Sequence, residues 1–316
     1  VAKDAMHEAA APTKTAPAPS ATALPFAALI LGNIALAFGP WFVRAADVGP
    51  VAAGFWRLAL GVPVLLAIVV GLEGNPLRRA RGLGPILLFA GIAFAADLAA
   101  WHLGILQTTL ANATLFGNSA TLMFPVWGFL VARAWPTRQQ GIALALAAAG
   151  AGLLLGRSYS LSPDHLLGDL LCLLAGVLYT VYFILMARAR EAMTPLSALA
   201  ASSIAGIVPL LIFAWALGEQ IWPQQWGVLI GLALVSQVVG QGLMIYALGH
   251  LSPLVVGIAL LSQPVIAGTV GWIVYDERLG VPDLIGAALV AVALVLVRRE
   301  GKPPVASAPH EAKPGT

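Results

Sequence analysis

GPILLFAGIAFAADLAAWHLGI, residues 84–105, runs for 22 residues with one carboxylate, Asp97, and one imidazole, His102. As a helix it would rise about 33 Å, enough to cross a hydrocarbon core of about 30 Å. The stretch reads as a membrane-crossing helix. It also raises a question: why does so apolar a segment hold an acid near its middle?

The rest of the chain has the same character. Of its 316 residues, 59% are hydrophobic and 10% charged, with a mean hydropathy of +0.89. A domain dissolved in water needs roughly a quarter of its residues charged, so lipid is the solvent for most of this chain. Ten runs are long and apolar enough to span: 24–43, 50–71, 84–105, 108–132, 139–156, 168–188, 196–217, 226–248, 253–275 and 282–298. Backbone in lipid must satisfy its own hydrogen bonds, and continuously apolar runs exclude the alternation of a barrel. The expected fold is an all-α polytopic membrane protein of ten transmembrane helices. Residues 1–23 and 299–316, rich in Ala and Pro, are expected to be disordered tails. No cleaved targeting signal is expected. The single cysteine, Cys172, reads as a buried, inert thiol.

An even number of spans puts both tails on one side. If that side is cytoplasmic, Arg78, Arg79, Arg81, Arg133, Arg138, Arg188, Arg190, Arg298, Arg299 and all four lysines lie inside. Arg44, Arg157 and Arg278 alone remain outside, with Asp47, Asp164, Asp169, Glu219, Asp276, Glu277 and Asp283. This excess of inner cations orients the chain, with both termini cytoplasmic in a bacterial-type inner membrane. Cations that flank spans are not a phosphate-binding face, so no nucleic-acid partner is expected.

Sliding the chain against itself by 145 residues aligns Pro50 with Pro195, Gly61 with Gly206, Leu103-Gly104 with Leu248-Gly249, Trp127 with Trp272, Arg133 with Arg278 and Gly141 with Gly286. The chain divides into two five-helix repeats, 24–156 and 157–298. Five is odd, so the second repeat is inverted, an arrangement suited to alternating access around a central cavity.

Ten spans in two halves, an arginine in the second span (GFWRLALG, residues 54–61) and YDERLGVPDLIGAALV at 275–290 resemble the drug/metabolite transporter superfamily, in particular its EamA-type exporters. The first half departs from the pattern, reading Val131-Ala132-Arg133 where the second reads Asp276-Glu277-Arg278. The resemblance implies a basket of helices whose cavity is lined by the third, fourth, eighth and ninth spans, helped by the first and sixth. Export of amino acids, with aromatic ones the nearest guess, or of related small metabolites is what it implies for activity.

Asp97 lies roughly 12 Å from the outer end of its span and Arg57 roughly 10 Å from the outer end of the second, at 1.5 Å per residue. The two spans are antiparallel neighbours, so the charges can pair. A lone charge at mid-helix costs about 2.5–3.5 kcal/mol, and either an Arg57–Asp97 ion pair or a wet cavity relieves it. Asp97 shares a helix face with Phe94 and Trp101. His102 points elsewhere and is expected at the outer interface. In the eighth span Ser236, Gln237, Gln241 and Met244 form a stripe. In the fourth, Asn112, Thr114, Asn118, Ser119 and Thr121 precede Pro125. The repeat places Asn118 opposite Gln263, beside Pro264 in the ninth span. Carboxamides near proline-loosened carbonyls suit a zwitterion, and equally suit plain interhelical hydrogen bonding. Tyr179 and Tyr182 offer rings deep in the sixth span, whereas Trp41 and Tyr246 read as interfacial. The candidate cavity residues are thus Asp97, Trp101, Asn112, Asn118, Ser119, Tyr179, Tyr182, Gln237, Gln241 and Gln263. The fifth and tenth spans, nearly free of polar atoms, read as scaffold or a homodimer surface.

The expected activity is a secondary transporter by alternating access, with a small-molecule substrate and the lipid bilayer as partners. No GK[ST] loop exists to bind a nucleotide. No catalytic constellation, metal set or cofactor motif is seen, which sets an intramembrane enzyme behind. A passive channel is the other alternative.

Overall fold

The computed structural model describes residues 20–74, 82–120, 163–189, 192–248, 262–277 and 280–299, with short pieces between 123 and 153. Its elements are helices: α1 (Ser20–Ala37), α2 (Gly39–Ala45), α3 (Pro50–Glu73), α4 (Gly84–Ile105), α5 (Leu110–Gly117), α6 (Pro163–Ala189), α7 (Pro195–Ala216), α8 (Trp226–Gly231), a π-helical stretch (Leu232–Gly240), α9 (Gln241–Leu248), α10 (Ser262–Tyr275) and α11 (Val281–Arg299). Among the described residues, six stretches are long and apolar enough to cross a membrane: Leu24–Ala45, Pro50–Glu73, Gly84–Ile105, His165–Met186, Pro195–Ala216 and Trp226–Met244. They coincide with the expected first, second, third, sixth, seventh and eighth spans. Shorter apolar helices stand at the fifth, ninth and tenth: Gly141–Gly150, Ile266–Tyr275 and Leu284–Ala293. Residues 1–19 and 300–316, most of the fourth span beyond Ala120 (with Thr121, Pro125 and Arg133), residues 253–261, Arg157 and Arg278 lie outside the described residues, whereas residues 20–23 and Arg299, expected in the disordered tails, are helical because α1 and α11 run on into them. The molecule is an all-helical, polytopic membrane protein.

Its surface confirms which solvent the helices meet. Phe89, Val208, Ile212, Phe213 and Trp215 are all exposed. In water such a surface is an aggregation hazard, whereas in lipid it is the ordinary exterior. The interior is closed by small residues. A Cβ on Gly104 of α4 would sit 2.8 Å from the carbonyl oxygen of Gly168 in α6 and against the thiol of Cys172, which is buried and free. Glycine here lets two backbones approach until side chains no longer separate them.

Two helices are interrupted, each for a local reason. The ring of Pro40 has no N–H to give the preceding turn and crowds the carbonyl four residues back. The first span therefore breaks at Phe38, between α1 and α2. The eighth span passes through the π-helical stretch, in which backbone bonds skip one residue further than in an α-helix.

The start of α3 shows how the ends of these helices are satisfied. Its N-cap is Gly49, which has no side chain to offer. The acceptor comes from far along the chain: Glu219 takes the amides of Val51 and Ala52 at 3.2 and 2.8 Å. A Cβ on Gly49 would overlap that carboxylate, so the glycine makes room for the cap. The favour is returned at the other end. Glu73, the last residue of α3, accepts from the hydroxyls of Thr194, the N-cap of α7, and Ser197, the latter at 2.6 Å. α3 and α7 pack along their length; Glu219, just beyond α7, caps α3, while Glu73 of α3 holds the hydroxyls at the start of α7, whose Ser197 amide is capped by Thr194 itself.

Removing Glu219 (Glu219→Ala) leaves two amides without an acceptor and is expected to destabilise by roughly 1–3 kcal/mol. Glu73→Ala should act similarly at the far end of α3, about 36 Å away. The double variant should show the sum of the two losses. Apparent melting temperatures in detergent check this, and an unchanged midpoint for Glu219→Ala would remove the cap from the account.

Candidate functional site

Arg57 of α3 is buried, and its Nε donates to Gln237 Oε1 at 2.9 Å. Gln237 in turn donates through Nε2 to Ser203 Oγ of α7 at 3.2 Å. The carboxamide is held at both ends, so it fixes the guanidinium in place. The guanidinium carbon lies 6.0 Å from the ring centroid of Trp101, at the outer limit of a cation–π contact. Asp97, a turn before Trp101 on α4, is 8% exposed.

The direct Arg57–Asp97 ion pair considered from the sequence is absent. Among the described residues the one pair within 4.0 Å is Arg44–Glu277, and Arg57 is turned to Gln237. Arg57 and Asp97 are thus both buried on neighbouring helices without direct contact, the guanidinium being turned to the Gln237 amide.

Rings wall this centre. Phe94, Tyr179 and Tyr182 stack, with centroids 4.8 Å apart for Phe94–Tyr182 and 5.6 Å for the two tyrosines. Tyr179 is hydrogen-bonded to Gln241, and the Tyr182 hydroxyl lies 3.3 Å from Ser202 Oγ. Trp101 donates to the Ala113 carbonyl at 3.1 Å. Asp97, Trp101, Tyr179, Tyr182, Gln237 and Gln241 therefore come from three different spans to one region.

The remaining candidates go elsewhere. Asn118 Nδ2 donates to Gln263 Oε1 at 3.2 Å, and Gln263 Nε2 to Asn33 Oδ1 at 2.7 Å. This three-residue chain ties α1, α10 and the end of α5. Asn112 is bonded to Asp169 at 3.2 Å, and Thr108 bonds the same carboxylate. Ser119 turns its hydroxyl toward Gly176 in α6 without a hydrogen-bond partner. His102 is not interfacial: it is fully buried, with Nδ1 2.9 Å from the Pro50 carbonyl. A histidine near a helix end reads as interfacial only until a neighbouring helix covers it, and here α3 does so.

Sequence reasoning missed the polar hub around Arg44. Its guanidinium bonds the carbonyls of Ile105 and Thr108 and the Glu277 carboxylate at 2.5 Å, and lies 4.8 Å from the Tyr275 ring centroid. Glu277 also accepts the Leu110 amide at 2.9 Å, at the start of α5. The signal was present in Asp276-Glu277-Arg278, whose acids were assigned to a loop and given no partner.

Comparison with known proteins agrees with this architecture. Residues 166–299 match the EamA-like transporter family. An uncharacterized transporter of Archaeoglobus fulgidus is 26% identical over 280 residues, 87% of this chain and 96% of that protein. The threonine/homoserine exporter RhtA of Salmonella typhimurium is 28% identical over 253 residues, 77% of this chain and 81% of the exporter. Its Escherichia coli K12 counterpart is 27% identical over 255 residues, with 78% and 82% covered. A solved crystal structure shares the fold with a TM-score of 0.60 at 18% identity, covering 89% of this chain and 99% of its own. The EamA-type resemblance, read from residues in both halves, is met by a family match over the second half.

Gln263 is the middle member of its chain, so Gln263→Leu strands Asn33 Oδ1 and Asn118 Nδ2 together. The expected loss is roughly 1–3 kcal/mol, seen as a lower melting temperature in detergent. A stability equal to wild type would show that neither bond contributes.

Proposed function

We propose that the chain is a secondary exporter of small amino acids or closely related zwitterions. It acts across a bacterial-type inner membrane with both termini cytoplasmic, by alternating access of two inverted five-helix halves, 24–156 and 157–298. The observation that carries this reading is the separation of Arg57 from Asp97. Each buried charge costs about 2.5–3.5 kcal/mol, and direct contact would relieve both. Gln237 and Ser203 instead hold the guanidinium away. A zwitterion supplies what each lacks, its carboxylate facing Arg57 and its ammonium facing Asp97.

The family match and the relatives named as transporters support export rather than catalysis. Relatives named for threonine and homoserine support a small cargo over an aromatic one. The stacking of Phe94, Tyr179 and Tyr182 on one another supports it too, since those faces are already occupied.

Two contacts support the inverted halves. Asn118 and Gln263 are 145 residues apart and hydrogen-bonded. Equivalent positions of two repeats meet only near the axis relating them. The contacts at the starts of α3 and α7 fall at repeat-related positions as well: Glu219 accepts the Ala52 amide and Glu73 the Ser197 hydroxyl, and Ala52 and Ser197 are 145 apart.

The test is counterflow of labelled threonine in proteoliposomes, which a carrier shows and a passive channel does not. Asp97→Asn and Arg57→Gln should each lower uptake about tenfold or more, the worth of one charge-assisted bond, while the protein stays monodisperse. Wild-type uptake by Asp97→Asn would end the zwitterion reading. Cysteines at positions 133 and 278 should react from opposite faces of the membrane, and reaction from the same face would rule out the inversion.

A further inference from the structure

At the end of the bundle read as outer, an ion pair joins the two repeats. Arg44 of α2 belongs to the first repeat and holds two carbonyls of that repeat, those of Ile105 and Thr108. Glu277 belongs to the second repeat, and its Oε1 lies 2.5 Å from Arg44 Nη1. Its other oxygen accepts the Leu110 amide at 2.9 Å, again from the first repeat. Each side chain of the pair is 13% exposed, and Leu110 is fully buried.

The second repeat is shaped to deliver this carboxylate. Just past α10, Asp276 takes a φ of 52°, in the left-handed region that few residues other than glycine adopt. The turn folds Glu277 back along its own helix, where its amide donates to the Gly271 carbonyl at 3.2 Å. A Cβ on Gly271 would overlap the Glu277 carboxylate and stand 3.5 Å from the Leu110 Cβ. Glycine at 271 therefore lets the acid lie between α10 and the start of α5.

On the inverted-repeat reading, the Asn118–Gln263 bond marks the axis between the halves. Leu110 stands eight residues before Asn118 on the same span, about 12 Å further toward the outer end. Rocking about the axis separates α5 from α10 at that end and closes their inner ends together. The inner end lacks the same fastening. Ala132 lies 145 residues before Glu277, and Val131-Ala132-Arg133 holds no carboxylate.

We infer that the Arg44–Glu277 pair is an outer latch that biases the carrier at rest toward its outward-closed, inward-open state. This rests on the alternating-access reading above and adds to it the contact that sets the resting state. The latch must part whenever cargo leaves on the outer side. Because the first repeat has alanine where the second has Glu277, the closed inner end has no matching pair to offset it. An exporter then waits open to the compartment from which it loads.

The experiment measures alkylation by a membrane-impermeant maleimide at two introduced cysteines. Leu110→Cys, under the latch, is labelled from outside in right-side-out vesicles. Val255→Cys, at the repeat counterpart of Leu110, is labelled from inside in inverted vesicles. The chain that keeps only the buried Cys172 gives the background. Glu277→Gln should speed labelling of Leu110→Cys about tenfold, the worth of one charge-assisted bond, and slow that of Val255→Cys. Gly271→Ala displaces the acid without removing its charge and should move both rates the same way. A population shift changes the two ends in opposite senses, whereas a purely structural bond loosens the outer end alone. Should Glu277→Gln not stay monodisperse in detergent, Gly271→Ala decides by the same two rates. No acceleration at Leu110→Cys, or acceleration without slowing at Val255→Cys, overturns the latch while threonine counterflow leaves the exporter reading intact. Absence of counterflow in wild type overturns both.

Discussion

A polar group freed inside a bilayer has no water to turn to, and the rest of this structure follows from that constraint. Breaks and ends of helices here are met by side chains sent from distant parts of the chain. Glu219 closes α3, Glu73 holds the Ser197 hydroxyl at the start of α7, and Glu277 accepts the Leu110 amide at the start of α5 while holding Arg44. A local cap orders only its own helix. A cap from another span orders two helices at once, so satisfying the backbone and assembling the bundle become the same event.

The same constraint gives the central charges their meaning. Arg57 and Asp97 are costly to bury, and the structure leaves them without direct contact. Gln237 is the reason, anchored on Ser203 and donated by the irregular eighth span. A neutral amide there takes the guanidinium's hydrogen bond without neutralising its charge, which is what the proposed zwitterion site requires. The outlying polar chains, Asn33–Gln263–Asn118 and Thr108–Asp169–Asn112, tie one helix to another and read as joints, the second built on the buried carboxylate of Asp169.

Irregularity is concentrated where the cargo is proposed to sit. The first span breaks at Phe38 and the eighth relaxes into a π-helix, and the two run side by side, with Gly32 against Gly240 and Gly39 against Ser236. Breaks and π-helical turns are points at which a span bends or shifts register at low cost. Spans that move past one another around a midplane site need such points, whereas α4, gripped through glycines against α6, forms the stiffer side.

Much of this was legible in the amino-acid sequence. Length and hydropathy are properties of a single segment, so the spans could be read one by one, and six stand in the described residues where they were expected. The 145-residue offset placed Asn118 opposite Gln263 before any contact was known, and the two are hydrogen-bonded. Partner choice was another matter. That Arg57 takes Gln237 rather than Asp97, that His102 is buried against Pro50, that Asn112 belongs to Asp169 and that Ser236 bonds to nothing depend on how each helix is rotated and how far it slides along its neighbours. Rotation and register are set by close glycine contacts and by caps reaching across more than a hundred residues, so only the assembled bundle decides them.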